Sequence, residues 1–112
     1  MARALVTLGS VAALAVAGAY VYQQRGTPSV ADHRAMVDRY CVDCHNSAER
    51  AGGLALDRLD LDRMHSDPAA WETVVRKLRG GLMPPAGEPR PPAERLATFV
   101  GFLEQSLDAA AR

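Results

Sequence analysis

Both cysteines of this 112-residue chain lie in one short segment, CVDCH, which covers residues 41–45. Two residues separate Cys41 from Cys44, and His45 follows directly. On a helix, side chains at positions i and i+3 lie on the same side, so both sulfur atoms can reach one common group and the imidazole can bind beside them. A chain of this length forms one small domain at most, and a group held by this motif would enlarge its limited core.

Three kinds of site are compatible with this motif. A redox-active dithiol usually places its Cys-x-x-Cys at the start of a helix that follows a strand, whereas here the pair is predicted to end a helix. A zinc site needs four ligands, and although His33 or His65 could contribute, the chain has no second paired cluster. Covalent attachment of one haem c through both sulfurs, with His45 as an iron ligand, fits the spacing of the motif, and the predicted export segment and Met83, a possible second ligand downstream, support it. We favour this third interpretation.

The first 22 residues predict a signal peptide or an uncleaved membrane anchor. Arg3 is followed by nineteen uncharged residues, Ala4 to Tyr22. Ala17 and Ala19 satisfy the small-x-small rule for cleavage before Tyr20, and the full stretch is also just long enough to span a bilayer. Either alternative places the rest of the chain in the periplasm or on the outer face of the cytoplasmic membrane, where haem is attached covalently in bacteria.

Hydrophobic periodicity predicts an all-α domain over residues 32–112, after a linker at residues 23–31. The first helix is expected from Asp32 to about Cys44, with the motif at its C-terminal end. Residues 46–53 are predicted as a loop. Residues 54–64 have no clear period and are predicted as loop with one short helical turn. The inward-facing residues of the first helix are Val30, His33, Val37, Tyr40, Cys41 and Cys44.

Local signals predict two further helices. Asp67 before Pro68 is a favourable start, because aspartate caps a helix and proline suits its first turn. Gly80 and Gly81 mark the end of that helix. Pro92 opens the last helix, which is expected to continue to the C-terminus. Its apolar stripe consists of Leu96, Phe99, Val100, Leu103 and Leu107. No β pattern is present.

The segment between these helices, LMPPAGEPRPP at residues 82–92, contains five prolines. It is predicted as a stiff, irregular loop, because proline removes backbone donors and fixes φ. Met83 in this loop is our candidate for the second axial iron ligand. Met36 and His33 lie on the helix that carries His45 and face the wrong side of the haem. Met64 and His65 lie in the least patterned segment, and ligation by His65 would give a bis-histidine haem of lower potential.

The second helix carries further candidate residues. Trp71 is first a core residue, although its indole N–H could also reach a haem propionate. The basic group Arg76, Lys77 and Arg79 complements the negative end of the helix dipole, or lines the haem edge and attracts an acidic partner. An apolar haem pocket is expected from Trp71, Val75, Leu78, Phe99 and Leu103.

The charge balance argues against a nucleic-acid partner. Thirteen basic and thirteen acidic residues give a formal net charge of zero, and they are interspersed along the chain. Nucleic-acid-binding domains concentrate positive charge on one face. We therefore expect protein partners and a possible membrane tether.

Three sequence blocks, CVDCHN, GGLALDRLDL and WETVVRKLRGGLMPPAGEPRP, occur in this order. In this combination the chain resembles the planctomycete-type cytochrome c domain, a branch of the monohaem class I cytochromes c, from about Ala35 to Asp108. The resemblance implies a cytochrome c-like fold of three to four helices wrapped around one covalently bound haem, preceded here by the apolar N-terminal helix. It implies thioether bonds at Cys41 and Cys44, ligation by His45 and Met83, and packing of the first helix against the last.

These observations together predict a function. We expect an exported or membrane-tethered carrier of single electrons between respiratory proteins, which is not an enzyme and requires no small-molecule substrate. Two alternatives are a haem-based sensor, in which Met83 is displaced by a small gas, and a haem subunit or module of a larger exported oxidoreductase. In the family the domain usually stands at the front of a much longer protein, whereas this chain ends at Arg112.

Overall fold

The computed structural model describes residues 13–19 and 26–112, and every structural statement below refers to these ranges. Residues 13–19 are helical with exposed side chains. Most of the predicted export or anchor segment, residues 1–22, and the first part of the linker at 23–31 lie outside the described residues. Within the described ranges, no helix is both long enough and apolar enough to cross a membrane. The predicted boundaries between the N-terminal segment, the linker and the following domain, at residues 22 and 31, therefore stay predictions.

The part of the domain after residue 25 is helical, and the predicted all-α class is confirmed for it. Three α-helices and two 3₁₀ turns are present, without a strand among the described residues. The α-helices are α1 (Val30–Tyr40), α2 (Pro68–Arg79) and α3 (Ala93–Ala110). The 3₁₀ turn Ala51–Gly53 lies in the segment predicted as a loop, and Met64–Ser66 begins at the last residue of the segment predicted to contain one short helical turn.

Helix α1 differs from its prediction at both ends. It begins two residues before Asp32, because Ser29 caps it: the backbone N of Asp32 donates to Ser29 Oγ at 3.2 Å, and the Asp32 carboxylate accepts from the Ser29 backbone N at 2.8 Å. It ends at Tyr40, where Cys41 leaves helical geometry with φ −126° and ψ −40°. The prediction that the CVDCH motif lies on this helix is therefore wrong. The motif lies in the turns directly after it.

Helices α2 and α3 follow their local signals. The carboxylate of Asp67 accepts a hydrogen bond from the backbone N of Ala70 at 3.2 Å, and Pro68 occupies the first turn as predicted. Gly80 caps the other end, and Gly81 has φ +65°, a left-handed conformation that suits glycine. Pro92 precedes α3, whose last helical residue is Ala110 rather than the C-terminus.

The core lies where α2 and α3 pack on each other and on α1. Its fully buried side chains come from all three helices: Val37, Trp71, Phe99 and Leu103. Burying an aliphatic or aromatic side chain of this size contributes about 1.5 to 3 kcal/mol. Helices α1 and α3 meet through His33, whose ring stacks on Phe102 with centroids 4.5 Å apart. At the outer rim Arg79 of α2 donates two hydrogen bonds to Glu104 of α3, at 2.9 and 2.7 Å.

Candidate haem-binding site

A compact turn after α1 presents the CVDCH motif. The backbone N of Cys41 donates to Val37 O at 2.9 Å, which completes the last turn of the helix. The backbone N atoms of Cys44 and His45 then both donate to Cys41 O, at 3.4 and 3.0 Å. The two cysteines are thus the ends of one hydrogen-bonded turn, and His45 follows it. This turn takes the place of the predicted last turn of the helix, and it keeps the two cysteines at its two ends.

The orientation of the His45 ring is fixed by the backbone. Its Nδ1 lies 2.8 Å from Ala51 O. Because a carbonyl oxygen only accepts, Nδ1 carries the proton, and in the neutral ring Nε2 keeps its lone pair for a metal ion. Metal-binding histidines usually have such a bond on their second nitrogen, since it sets the tautomer and the ring direction.

The loop that supplies this carbonyl, residues 45–56, is called the histidine loop here. The backbone N of Ala51 donates to Cys44 O at 3.1 Å, and that of Leu56 donates to His45 O at 2.8 Å. From α1, Arg34 donates to the carbonyl oxygens of Leu56 and Leu59, both at 3.1 Å. The loop is therefore closed onto the motif at two places and tied to the preceding helix.

Asn46 is a functional candidate that sequence reasoning missed. Its side-chain nitrogen donates to Val42 O at 2.8 Å and Asp43 O at 3.0 Å, and its side-chain oxygen accepts from the backbone N atoms of Ala48 and Glu49. It thus joins the motif turn to the histidine loop. Its position directly after the motif is the only sequence signal for this role.

The two thiols are unpaired. Cys41 is partly buried and packs against the core, whereas Cys44 is exposed. Burial raises the pKa of the Cys41 thiol to about 11, and the nearby Arg34 only partly offsets this effect. Redox-active dithiols have lowered pKa values, because the thiolate is their reactive form. The environment of Cys41 thus argues against the redox-dithiol alternative.

The five candidates for a second axial ligand have different surroundings. Met36, Met64 and His33 are buried, at 5%, 3% and 3% exposure. His65 is exposed in the second 3₁₀ turn, where it is part of the wall of a shallow groove near the end of α3. Met83 is partly exposed in the irregular segment after α2. The residues 82–92 are called the methionine loop here.

The methionine loop has neither helix nor strand, as predicted. The backbone N of Leu82 donates to Lys77 O at 3.0 Å, and that of Glu88 donates to Pro85 O at 3.1 Å. The guanidinium of Arg90 donates to the carbonyl oxygens of Met83, at 3.2 Å, and of Pro84. Sequence reasoning gave Arg90 no role.

The predicted apolar pocket residues fall into two groups. Trp71, Phe99 and Leu103 are at most 1% exposed and fill the core between the helices. Val75 and Leu78 on α2 are partly exposed. The predicted core role of Trp71 agrees with its burial, and its predicted contact with a propionate stays a prediction. Several apolar side chains at the edge of the core are only partly buried and could contact a bound apolar group. They include Leu54, Leu59, Val75 and Leu78.

The basic group of α2 lies in the last turn of the helix, as its predicted dipole role requires. The charge of Arg79 is compensated by Glu104, and Arg76 donates to the Thr73 hydroxyl at 2.8 Å. Lys77 is exposed. A partner surface made by this group would therefore depend on Arg76 and Lys77 more than on Arg79.

The residues at the motif fit a covalently bound haem. They offer two unpaired thiols, an imidazole with its Nε2 free of the backbone bond, and apolar side chains that are only partly buried. In the described ranges, no three side chains of the types His, Cys, Asp and Glu converge as a protein-only metal site would require. The donor set thus matches two thioether bonds and one imidazole ligand better than a zinc site.

Comparison with known proteins relates part of the chain to a described family. Residues 41–87 match the family model described as Planctomycete cytochrome C. No curated protein and no solved structure matches the chain. The matched segment runs from the motif through α2 to the methionine loop and leaves α1 and α3 outside it. The resemblance given by the three sequence blocks is confirmed: residues 41–87 carry the signature of the planctomycete cytochrome c family.

Proposed function

We propose that this chain is a monohaem c-type cytochrome that carries single electrons between proteins outside the cytoplasm. The observation that carries the proposal is the bond from His45 Nδ1 to Ala51 O, next to two unpaired thiols and within the matched segment. It leaves one imidazole nitrogen available for iron, in the tautomer that a ligand needs. A haem bound at the motif would supply one-electron chemistry through its iron.

Each residue of the site then has a defined task. Cys41 and Cys44 would hold the porphyrin through thioether bonds, and His45 would bind its iron through Nε2. Val75 and Leu78 supply apolar surface that excludes water from the site. A low local polarity disfavours the more highly charged ferric state and so raises the reduction potential.

In this proposal Met83 would be the second iron ligand. Three of its four rivals, Met36, Met64 and His33, are buried in the core, and their release would cost packing energy. Met83 is partly exposed on a loop whose prolines restrict its backbone. A histidine and methionine pair gives a higher potential than two histidines, which suits a respiratory carrier.

The proposed carrier role needs neither a substrate site nor a catalytic side chain. Electrons would pass through the protein surface near the bound haem, and both axial ligands would stay in place. The partners are redox proteins, and the predicted N-terminal segment delivers the chain to the periplasm or tethers it to the outer face of the cytoplasmic membrane. Family membership of residues 41–87 supports an extracytoplasmic location.

Intact mass and visible spectra test the proposal. The full chain is produced together with a cytochrome c maturation apparatus and purified from the membrane and periplasmic fractions. We expect the mass of one haem to remain on the denatured polypeptide and the ferric protein to show a far-red absorption band typical of sulfur ligation. Colourless protein with two alkylatable thiols would overturn the proposal.

Met83→Ala is the first variant to examine. We expect it to retain covalent haem, lose the far-red band and have a lower reduction potential, because a thioether favours ferrous iron. Met64→Ala serves as a matched control that removes a buried methionine and leaves the band in place. If the band survives in Met83→Ala, the assignment of Met83 is wrong, and another methionine, Met36 or Met64, becomes the next hypothesis. If the parent chain lacks the band, the bis-histidine alternative with His65 becomes the next hypothesis.

A further inference from the structure

We propose that Arg90 is a positioning residue that holds Met83 in the geometry for iron ligation. This inference rests on the proposed ligation by Met83 and assigns a role to a residue outside the matched segment. Arg90 donates to the carbonyl oxygens of Met83 and Pro84, which belong to the two consecutive peptide groups Met83–Pro84 and Pro84–Pro85. The Arg90 side chain therefore links the end of the loop to the backbone of Met83, the residue that carries the thioether.

The composition of the methionine loop explains why such a contact is needed. Five of its eleven residues are prolines, which have no backbone N–H. Arg90 is the only residue of the loop whose side chain has N–H donors. Carbonyl oxygens that have no donor in the protein accept hydrogen bonds from water, and such bonds do not fix the backbone conformation. The guanidinium of Arg90 thus supplies two hydrogen bonds in a loop that lacks five backbone donors.

The chemistry of arginine suits this task. Its planar guanidinium presents several donors in a fixed fork and keeps its charge at every physiological pH. Hydrogen bonds from a charged donor are stronger than those between neutral groups. Pro84 and Pro91, the neighbours of Met83 and Arg90, are both buried. The two ends of the loop are thus anchored in the fold, and Arg90 joins them.

The consequence concerns how easily Met83 leaves the iron. A thioether binds iron weakly. The fraction of molecules in which Met83 is bound therefore depends on a loop that already holds the side chain in place, because no further conformational entropy is then lost on ligation. Without Arg90, the loop backbone gains alternative conformations and Met83 dissociates more readily. An external ligand then binds the iron more tightly, because less energy is needed to displace Met83.

Imidazole titration of the ferric, haem-loaded full chain measures this effect. We expect Arg90→Ala to bind imidazole about tenfold more tightly than the parent chain, equivalent to 1.4 kcal/mol. Arg90→Lys should be intermediate, because it retains the charge but lacks the planar fork. Arg95→Ala is the matched control: it removes an exposed arginine on α3 and should leave the affinity unchanged.

The same titration in a Met83→Ala background separates the possible outcomes. If Arg90 acts through Met83, adding Arg90→Ala to Met83→Ala changes the imidazole affinity less than twofold. An equal increase in both backgrounds, or no increase in either, would overturn the role of Arg90 while leaving Met83 as ligand. If Met83→Ala alone retains the far-red band and the parent affinity, the proposed ligation itself fails.

Discussion

The two loops that carry the proposed iron ligands are held in opposite ways. The histidine loop uses its own backbone: Ala51 and Leu56 both bond back to the motif, and Asn46 and Arg34 add side-chain bonds. The methionine loop is poor in backbone donors and depends on Arg90. Loss of one bond should therefore change little in the geometry of the first loop and much in that of the second. In the proposed carrier, one ligand would be firmly fixed and the other would be controlled by a single side chain.

Asn46→Ala tests the histidine loop and should have the largest effect on stability. The substitution leaves the carbonyl oxygens of Val42 and Asp43 and two backbone N–H groups without their partner. We expect the free energy of unfolding of the haem-loaded protein to fall by about 1 to 2 kcal/mol. The spectrum should stay that of the parent, because the bond to His45 Nδ1 comes from the backbone of Ala51. Urea denaturation and visible spectra give both quantities.

Ser47→Ala is a suitable control for that measurement. Ser47 is the next residue, and its hydroxyl donates one bond, at 2.6 Å, to the exposed Asp57 carboxylate. We expect a smaller loss than for Asn46→Ala, because exposed partners are readily hydrated. An altered spectrum in Asn46→Ala without loss of stability would contradict the idea that several bonds share the task in this loop.

His33 connects the two helices that are next to the two loops. It lies on α1, which leads into the CVDCH motif, and packs against α3, which follows the methionine loop. Its ring lies against Phe99 and Phe102, and its Nε2 is buried without a hydrogen-bond partner among the described residues. Burial lowers the pKa of His33 below 6.5, with Asp32 opposing the shift and Arg95 adding to it. The folded protein therefore binds the proton less readily than the unfolded chain.

The sign of the pH dependence follows from this difference. Well above pH 6.5, His33 is neutral in the folded and in the unfolded protein, so its protonation takes nothing from the free energy of unfolding. As the pH falls through 6.5, the unfolded chain takes up the proton first and stability is lost, at up to about 1.4 kcal/mol per pH unit. We expect urea denaturation between pH 8 and pH 5 to show a steeper loss in the parent chain than in His33→Phe. His65→Gln, which changes an exposed histidine, should keep the parent slope. Equal slopes in all three proteins would refute the role of His33.

The sequence predicted those features whose cause is local. Asp67 with Pro68 and Gly80 with Gly81 act within a few residues, and the bounds of α2 were correct. The end of α1 was not predictable from periodicity, because the apolar period continues through Cys44 after the backbone leaves the helix at Cys41. The bond from His45 to Ala51 O involves a backbone atom, which no residue type identifies. Arg90 did leave a signal, since it is the sole side-chain donor in a loop rich in proline.

The ion pair between Arg79 and Glu104 joins the helices on either side of the methionine loop, and its removal should have the smallest effect. Each group shifts the pKa of the other in the direction of its charged form. Both side chains are substantially exposed, so water and salt weaken the attraction. In Glu104→Gln we expect a slight destabilisation at low ionic strength that disappears in 1 M salt, where the screening length falls to about 3 Å. Imidazole affinity should stay unchanged, because the methionine loop is held by Arg90 and not by this pair. An increase in imidazole affinity as large as that expected for Arg90→Ala would show that helix spacing controls Met83, and would remove the contrast between the two loops.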